Sequence, residues 1–203
     1  MHIQLITPAD INLDLDVIED GLTYAENASK KALAFTQASG LLSLADDSGL
    51  EVDALNGEPG LYSARYGSTN GKKLSDGERR KYLLSKLQHH PRPWTARFKA
   101  TIAIAVPAHV TLNETKGLLQ SQAETLRSPQ SGSLRVTQVE GICEGEIIPE
   151  ERGTGGFGYD PLFLFPELGK TMSELSMDEK NRLSHRAKAV IKAKKILETL
   201  SNE

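Results

Sequence analysis

The eleven residues Ala96–Val106, ARFKATIAIAV, leave the chain few choices. They alternate apolar with polar at the start, are rich in β-formers and contain neither glycine nor proline, which predicts a long strand. Runs at Ile3–Ile6, Leu41–Ala45 and Leu134–Ile148 also read as strands. Helical spacing alternates with these runs. Thr23 and Glu26 have the separation of a capping box, and ENASKKALAFTQASG behind them places Ala25, Ala28, Ala32 and Phe35 at helical intervals before Gly40. Leu74–Leu87 reads as an amphipathic helix carrying Tyr82, Leu83 and Leu87. Ser176 and Glu179 form a second box, opening a helix to about Leu200 with Leu183, Ala187, Val190, Ile191 and Leu197 on one face. The polar stretch 107–133 is expected to be a hairpin with a long, variable excursion. No repeat or linker interrupts the 203 residues, so one α/β domain is expected, a mixed sheet flanked by helices.

Composition narrows the function classes. A net charge of −3 gives no basic footprint for nucleic acid. The single cysteine, Cys143, rules out an internal disulfide and makes a thiolate metal site a poor expectation. Cys143 is expected to be a small core residue and Trp94 a packing residue. No stretch has the length of a membrane span, and MHIQLITPAD lacks the pattern of a secretion signal, so a cytoplasmic protein with no membrane partner is expected.

Four segments depart from ordinary patterning. LADDSG sets Asp46 beside Asp47. Two ionised carboxylates at one point repel unless a cation or proton relieves them, and Mg²⁺ takes carboxylate oxygens that it shares with substrate phosphates. The competing explanation is a strand-ending turn, since Asp, Ser and Gly all favour turns. GTGGFGYDP, Gly153–Pro161, allows close backbone approach to a ligand, with Phe157 and Tyr159 as ring faces and Asp160 as an anchor. Its bland alternative is a flexible hairpin whose aromatics plug the core. In KNRLSHR, Lys180 and Ser184 are four apart, as are Arg182 and Arg186, and His185 and Arg186 can donate to a carbonyl or phosphate. A solvated basic helix face is the alternative. In ENASKKA, Asn27 and Lys31 share a helix side, and Glu26 with Lys30 suggests a surface pair.

These motifs occur together and in order. DGLTYAENASKKA, LADDSGLEVDALNGEPGLYSARY, GTGGFGYDPLF and EKNRLSHRAKA resemble the inosine/xanthosine triphosphate pyrophosphatase family over roughly residues 17–106 and 140–200. The resemblance implies a long curved sheet, two lobes around a central cleft, and a homodimer. It implies Mg²⁺-assisted hydrolysis of ITP, dITP or XTP, purine nucleoside triphosphates, to the monophosphate and pyrophosphate. By the same resemblance Asp47 is a metal ligand and proposed base, and Glu19 a second metal ligand. Ser48 contacts substrate and Lys31 reaches the phosphates. Phe157, Gly158, Tyr159 and Asp160 frame the base and sugar, while Lys180, His185 and Arg186 read the purine. Asp46 is expected to serve the metal directly or from behind.

The chain departs from the family at its start. The family opens with a strand ending in TGN or TNN, a turn that cradles phosphate with backbone N–H groups. Here MHIQLITPADI resembles the family's second strand, and roughly 20–25 residues, about one strand plus one helix, are expected to be missing. Exposed apolar surface and weaker triphosphate binding would follow. The alternatives to an active enzyme are therefore a catalytically impaired nucleotide-binding paralogue or truncated form, and a structural dimer module.

Overall fold

The structure, a computed structural model, describes residues 4–69, 71–107, 125–127 and 134–201. Its strands are β1 (Ser43–Val52), β2 (Trp94–Val106), β3 (Thr125–Arg127), β4 (Arg135–Ile147), β5 (Phe163–Phe165) and β6 (Lys170–Thr171). They form one sheet in the order β1-β2-β4-β5-β6, with β3 paired to β4. The pairs of β4 with β3 and β5, and of β5 with β6, are antiparallel. The helices are α1 (Tyr24–Ser39), α2 (Asp76–Leu87), α3 (Met177–Leu183) and α4 (His185–Ser201). The mixed α/β class is thus observed. No helix among the described residues is long and apolar enough to cross a membrane.

The chain forms two compact units. Unit one takes Met1–Asp47, Thr101–Glu140 and Ala189–Glu203; unit two takes Ser48–Ala100 and Gly141–Lys188. In unit one, Ala28 and Ala32 of α1 pack on Ala103 and Ala105 of β2 and on Val136 of β4. Small side chains let the helix come close, and the Thr36 hydroxyl donates to the Ala105 carbonyl at 3.2 Å. In unit two, the core gathers Leu50 and Val52 of β1, Leu83 and Leu87 of α2, and Phe98, Phe163 and Phe165. The Phe98 and Phe163 rings lie 4.7 Å apart and Phe163 meets Phe165 edge-on at 5.4 Å. Cys143 is buried here too, and burial pushes its thiol up to about 11, which leaves it inert at neutral pH. Trp94 is buried, its indole N–H donating to the His90 carbonyl at 3.0 Å.

Several expectations hold and several need correction. β2 alternates buried and exposed through its first half and is buried throughout from Ala100. α1 begins at Thr23, whose side chain accepts from the Glu26 N–H, and Gly40 closes it with an N–H to the Thr36 carbonyl. The box is not reciprocal on Thr23, because Glu26 accepts from the Leu22 N–H instead. The Glu26–Lys30 pair is replaced by one between Lys30 and Asp20. Gln4–Thr7 forms no strand; Leu5 and Ile6 are exposed, and a 3-10 turn at Pro8–Ile11 follows. Ile3 lies outside the described residues. Leu41 and Leu42 precede β1 rather than starting it, and with Leu44 they are about half-exposed; the buried part of β1 is Gly49, Leu50 and Val52.

The expected single C-terminal helix is broken. Ser184 takes an extended backbone, φ −67° and ψ 153°, ending α3 and starting α4. Its hydroxyl accepts from the Ala187 N–H, which explains the break: a serine at that place caps a new helix as readily as it continues the old one. Arg182 and Arg186 therefore do not share one helix face. The buried stripe of α4 is His185, Ala189 and Ala193, while Val190 and Ile191 are half-exposed. Of the stretch 107–133, the segments 108–124 and 128–133 lie outside the described residues.

Phe163 is fully buried and touches two other aromatic rings. Phe163→Ala is expected to lower stability by about 3–5 kcal/mol, read from urea unfolding. A loss below about 1 kcal/mol would show that this aromatic core is not assembled as described.

Candidate active site

Asp46, Asp47 and Ser48 lie inside β1, not in a turn at its end. The turn explanation for LADDSG is therefore excluded. Neighbours along a strand face opposite ways, so Asp47 points away from Asp46 and Ser48. The Asp47 side chain is mostly buried, 15% exposed. Lys31 reaches it from α1: its ammonium is 2.9 Å from Glu19 Oε2 and 3.9 Å from Asp47 Oδ1. Glu19 comes from the irregular segment before α1. Asn27 ties that segment to the helix by accepting the Gly21 N–H at 2.7 Å. Three residues distant in sequence, Glu19, Lys31 and Asp47, thus converge in unit one.

A groove of about 700 Å³ lies on the same unit, walled mainly by aliphatic side chains such as Leu5, Ile11, Leu44 and Leu197. Lys31 and Asp46 are the charged groups lining it. No group of three or more His, Cys, Asp or Glu side chains gathers as a metal site among the described residues. The donor set nevertheless suits a hard cation. Two carboxylates already converge on one ammonium, and Mg²⁺ needs only one or two protein carboxylates when phosphates and waters complete its shell.

Unit two holds the second set. The loop Gly153–Pro161 turns Phe157 outward, 63% exposed, and Tyr159 inward, 3% exposed. Tyr159 is therefore a core residue: its hydroxyl donates to the Ser63 carbonyl at 3.0 Å, and burial raises its pKa to about 12. Its ring anchors the loop rather than facing a ligand. Asp160 is buried and accepts from Lys180 Nζ at 3.2 Å and from the Phe157 N–H at 3.4 Å. Gly156 sits at φ +83°, and a Cβ there would run into the Asp160 carboxylate and stand 2.7 Å from Lys180 Nζ. Arg186 lies over the Phe157 ring, its guanidinium carbon 5.2 Å from the centroid. His185 is 7% exposed, stacked on Phe98 at 4.8 Å and 12°, with Nδ1 at 3.9 Å from the Cys143 sulfur.

The structure thus joins Glu19, Lys31 and Asp47 in one cluster, and Phe157, Asp160, Lys180 and Arg186 in another. Ser48 follows Asp47 along β1, half-buried. Residues that support the loop were not legible in the sequence. Asp76 and Arg80 of α2 bond the Gly158 backbone, and Ser173 bonds Gly155 and Asp160. In sequence Asp76 reads as an ordinary first-turn acid and Arg80 as a surface base.

A model of the Ham1 family matches residues 2–196. Among similar proteins, the dITP/XTP pyrophosphatase of Desulforamulus reducens is 46% identical over 186 residues, covering 91% of this chain and 79% of that one. The dITP/XTP pyrophosphatase of Thermus thermophilus is 44% identical over 187 residues, covering 92% and 76%. The structure of the Staphylococcus aureus Ham1 protein matches with a TM-score of 0.76 at 36% identity, over 96% of this chain and 86% of that one. A HAM1 protein from Coxiella burnetii matches at 0.75 and 35%, over 97% and 87%.

Burial raises the Asp160 pKa above its ordinary 3.8, and the nearby Lys180 charge only partly opposes this. The folded protein then binds the Asp160 proton more tightly than the unfolded chain. Stability from this group is present below pH 3.8 and is lost as pH rises through the raised value. The stability of wild type minus that of Asp160→Asn should therefore fall as pH rises through that window, measured by urea unfolding. A difference that grows with pH would contradict the burial of Asp160.

Proposed function

The chain belongs to the Ham1 family, and on that footing we propose that it is a nucleoside triphosphate pyrophosphatase, hydrolysing ITP, dITP and XTP to the monophosphate and pyrophosphate. The observation that carries the chemistry is the convergence of Glu19 and Asp47 on the Lys31 ammonium. Glu19 and Asp47 would hold Mg²⁺, which when bound offsets their charge and polarises phosphoryl oxygens. Lys31 exchanges its carboxylate partners for phosphate oxygens when substrate is present. Asp47 accepts the proton of the water that attacks the α-phosphorus, and pyrophosphate leaves. Ser48 contributes its hydroxyl to the substrate.

The base is the task of the second set. Phe157 and Arg186 offer a ring face and a planar cation to the purine. Lys180, Arg186 and His185 supply the donors. A donor aimed at the 6-oxo group of hypoxanthine or xanthine meets another donor, the 6-amino group, on adenine. Leaving such groups unpaired is costly, so ATP is disfavoured. Asp160 and Gly158 hold the loop from which these contacts are made. A homodimer, a cytoplasmic location and the absence of nucleic-acid or membrane partners complete the proposal; family resemblance supports the first, and the net charge of −3 is in keeping with the absence of a nucleic-acid partner.

Pyrophosphate release from ITP, with Mg²⁺ and with a chelator, tests the proposal. Asp47→Asn is expected to lower kcat by about 10²–10⁴-fold with an unchanged far-UV spectrum. Near-normal turnover would remove Asp47 from its role, and nucleotide binding without turnover by the wild-type chain would favour a nucleotide-binding protein. Arg186→Ala is expected to reduce the ITP-to-ATP ratio of kcat/KM by about 10-fold or more. An unchanged ratio would place base reading elsewhere.

A further inference from the structure

Phe157 combines an exposed ring with a backbone held on both sides. Its own N–H donates to Asp160 Oδ2 at 3.4 Å. The next amide, the Gly158 N–H, donates to Asp76 Oδ2 at 2.6 Å. The Gly158 carbonyl accepts from Arg80 Nη1 at 2.8 Å. Asp76 and Arg80 lie one helical turn apart at the start of α2. Together they grip both peptide groups that flank Gly158, and so fix the direction in which the preceding residue projects.

The grip is itself supported. Arg80 Nη2 donates to Glu151 Oε2 at 2.9 Å, which ties it to the chain just before the loop. Asp76 pairs through its other oxygen with Arg79, and Arg79 Nη1 donates to the Leu74 carbonyl at 2.6 Å. Ser75 caps the helix in a full capping box with Glu78, so the first turn carrying these side chains is well ordered. Gly158 stands at φ +58°, a conformation favoured for glycine, with no atom within 4 Å of a Cβ position. The constraint there comes from its hydrogen bonds, not from crowding. Charge-assisted bonds of this kind are stronger than neutral ones.

We propose that Asp76 and Arg80 are positioning residues that clamp the Gly158 backbone and thereby hold the Phe157 ring against Arg186 as a preformed face for the purine base. The proposal rests on the pyrophosphatase function given above and adds to it a support on α2. A bare, flexible loop would have to order itself on each binding event, and pre-organisation removes that cost. The clamp acts on the base end alone, so its loss weakens substrate binding while Glu19, Lys31 and Asp47 continue to serve the reaction.

The test compares wild type, Arg80→Ala and Asp76→Asn by ITP kinetics, thermal unfolding and amide hydrogen exchange. Arg80→Ala should raise KM for ITP about tenfold with kcat within about threefold, the pattern of lost ground-state binding. Exchange should quicken in residues 153–161 and stay unchanged elsewhere. Asp76→Asn keeps an acceptor for the Gly158 N–H and should show a smaller rise. An unchanged KM, or a raised KM without local exchange, overturns the proposal. So does a parallel fall in kcat, Tm and protection across the molecule, which marks a general structural role. If wild type does not turn over ITP, the pyrophosphatase function fails separately. Exchange in residues 153–161 then decides the clamp alone: quickening confined to that loop upholds it, and its absence overturns it.

Discussion

The Lys31 ammonium, 2.9 Å from Glu19 and 3.9 Å from Asp47, relieves a charge problem built into β1. Asp46 and Asp47 are adjacent within the strand, and the Asp47 carboxylate is mostly shielded from water. A shielded carboxylate is costly unless a cation or hydrogen-bond donor meets it. α1 exists in the right place to supply one. Its alanines let it lie close to β2 and β4, and the Asn27 bond to Gly21 draws the Glu19 segment in. The alanine packing and the ion cluster are therefore parts of one arrangement. For a shielded cluster of this kind the cost of taking the charges out of water largely offsets their attraction, so its significance is chemical. It marks where cations are wanted.

Unit two solves a different problem, which is to hold one aromatic ring in water without letting its backbone wander. Tyr159 goes into the core, Asp160 is buried against Lys180, and Ser173 ties down Gly155. The glycines allow these tight bonds: at Gly156 any side chain would strike the Asp160–Lys180 pair. The break at Ser184 starts α4 anew, with His185 stacked on Phe98 in the core and Arg186 over Phe157. One serine thus sends two consecutive side chains into different surroundings, His185 buried and Arg186 exposed. Under the proposed function the first set would meet phosphates, and the second would supply a ring and donors for a base.

Much of this was legible in the sequence where the signal was local. The box at Ser176, the cap at Thr23 and the run ARFKATIAIAV all specify their elements through neighbours a few residues away. The motifs carrying Glu19, Lys31, Asp47 and Arg186 were visible as well. What was hidden depends on distant partners. Whether DDSG turns or continues as a strand depends on pairing across the sheet. The buried face of α4 is set by Ala189 and Ala193, which are weak hydrophobic signals beside Val190 and Ile191. Tyr159 and Phe157 look equivalent two residues apart, yet the chain buries one and displays the other. The contacts of Asp76 and Arg80 with Gly158 span 82 and 78 residues, beyond any periodicity in the sequence.

The central claim is that water attacks the α-phosphorus, activated beside Asp47, with pyrophosphate leaving intact. Turnover of ITP in water enriched in oxygen-18, with mass analysis of both products, tests it most directly. The account predicts one heavy oxygen in the monophosphate and none in pyrophosphate. Heavy oxygen in pyrophosphate, or release of labelled orthophosphate, would contradict it.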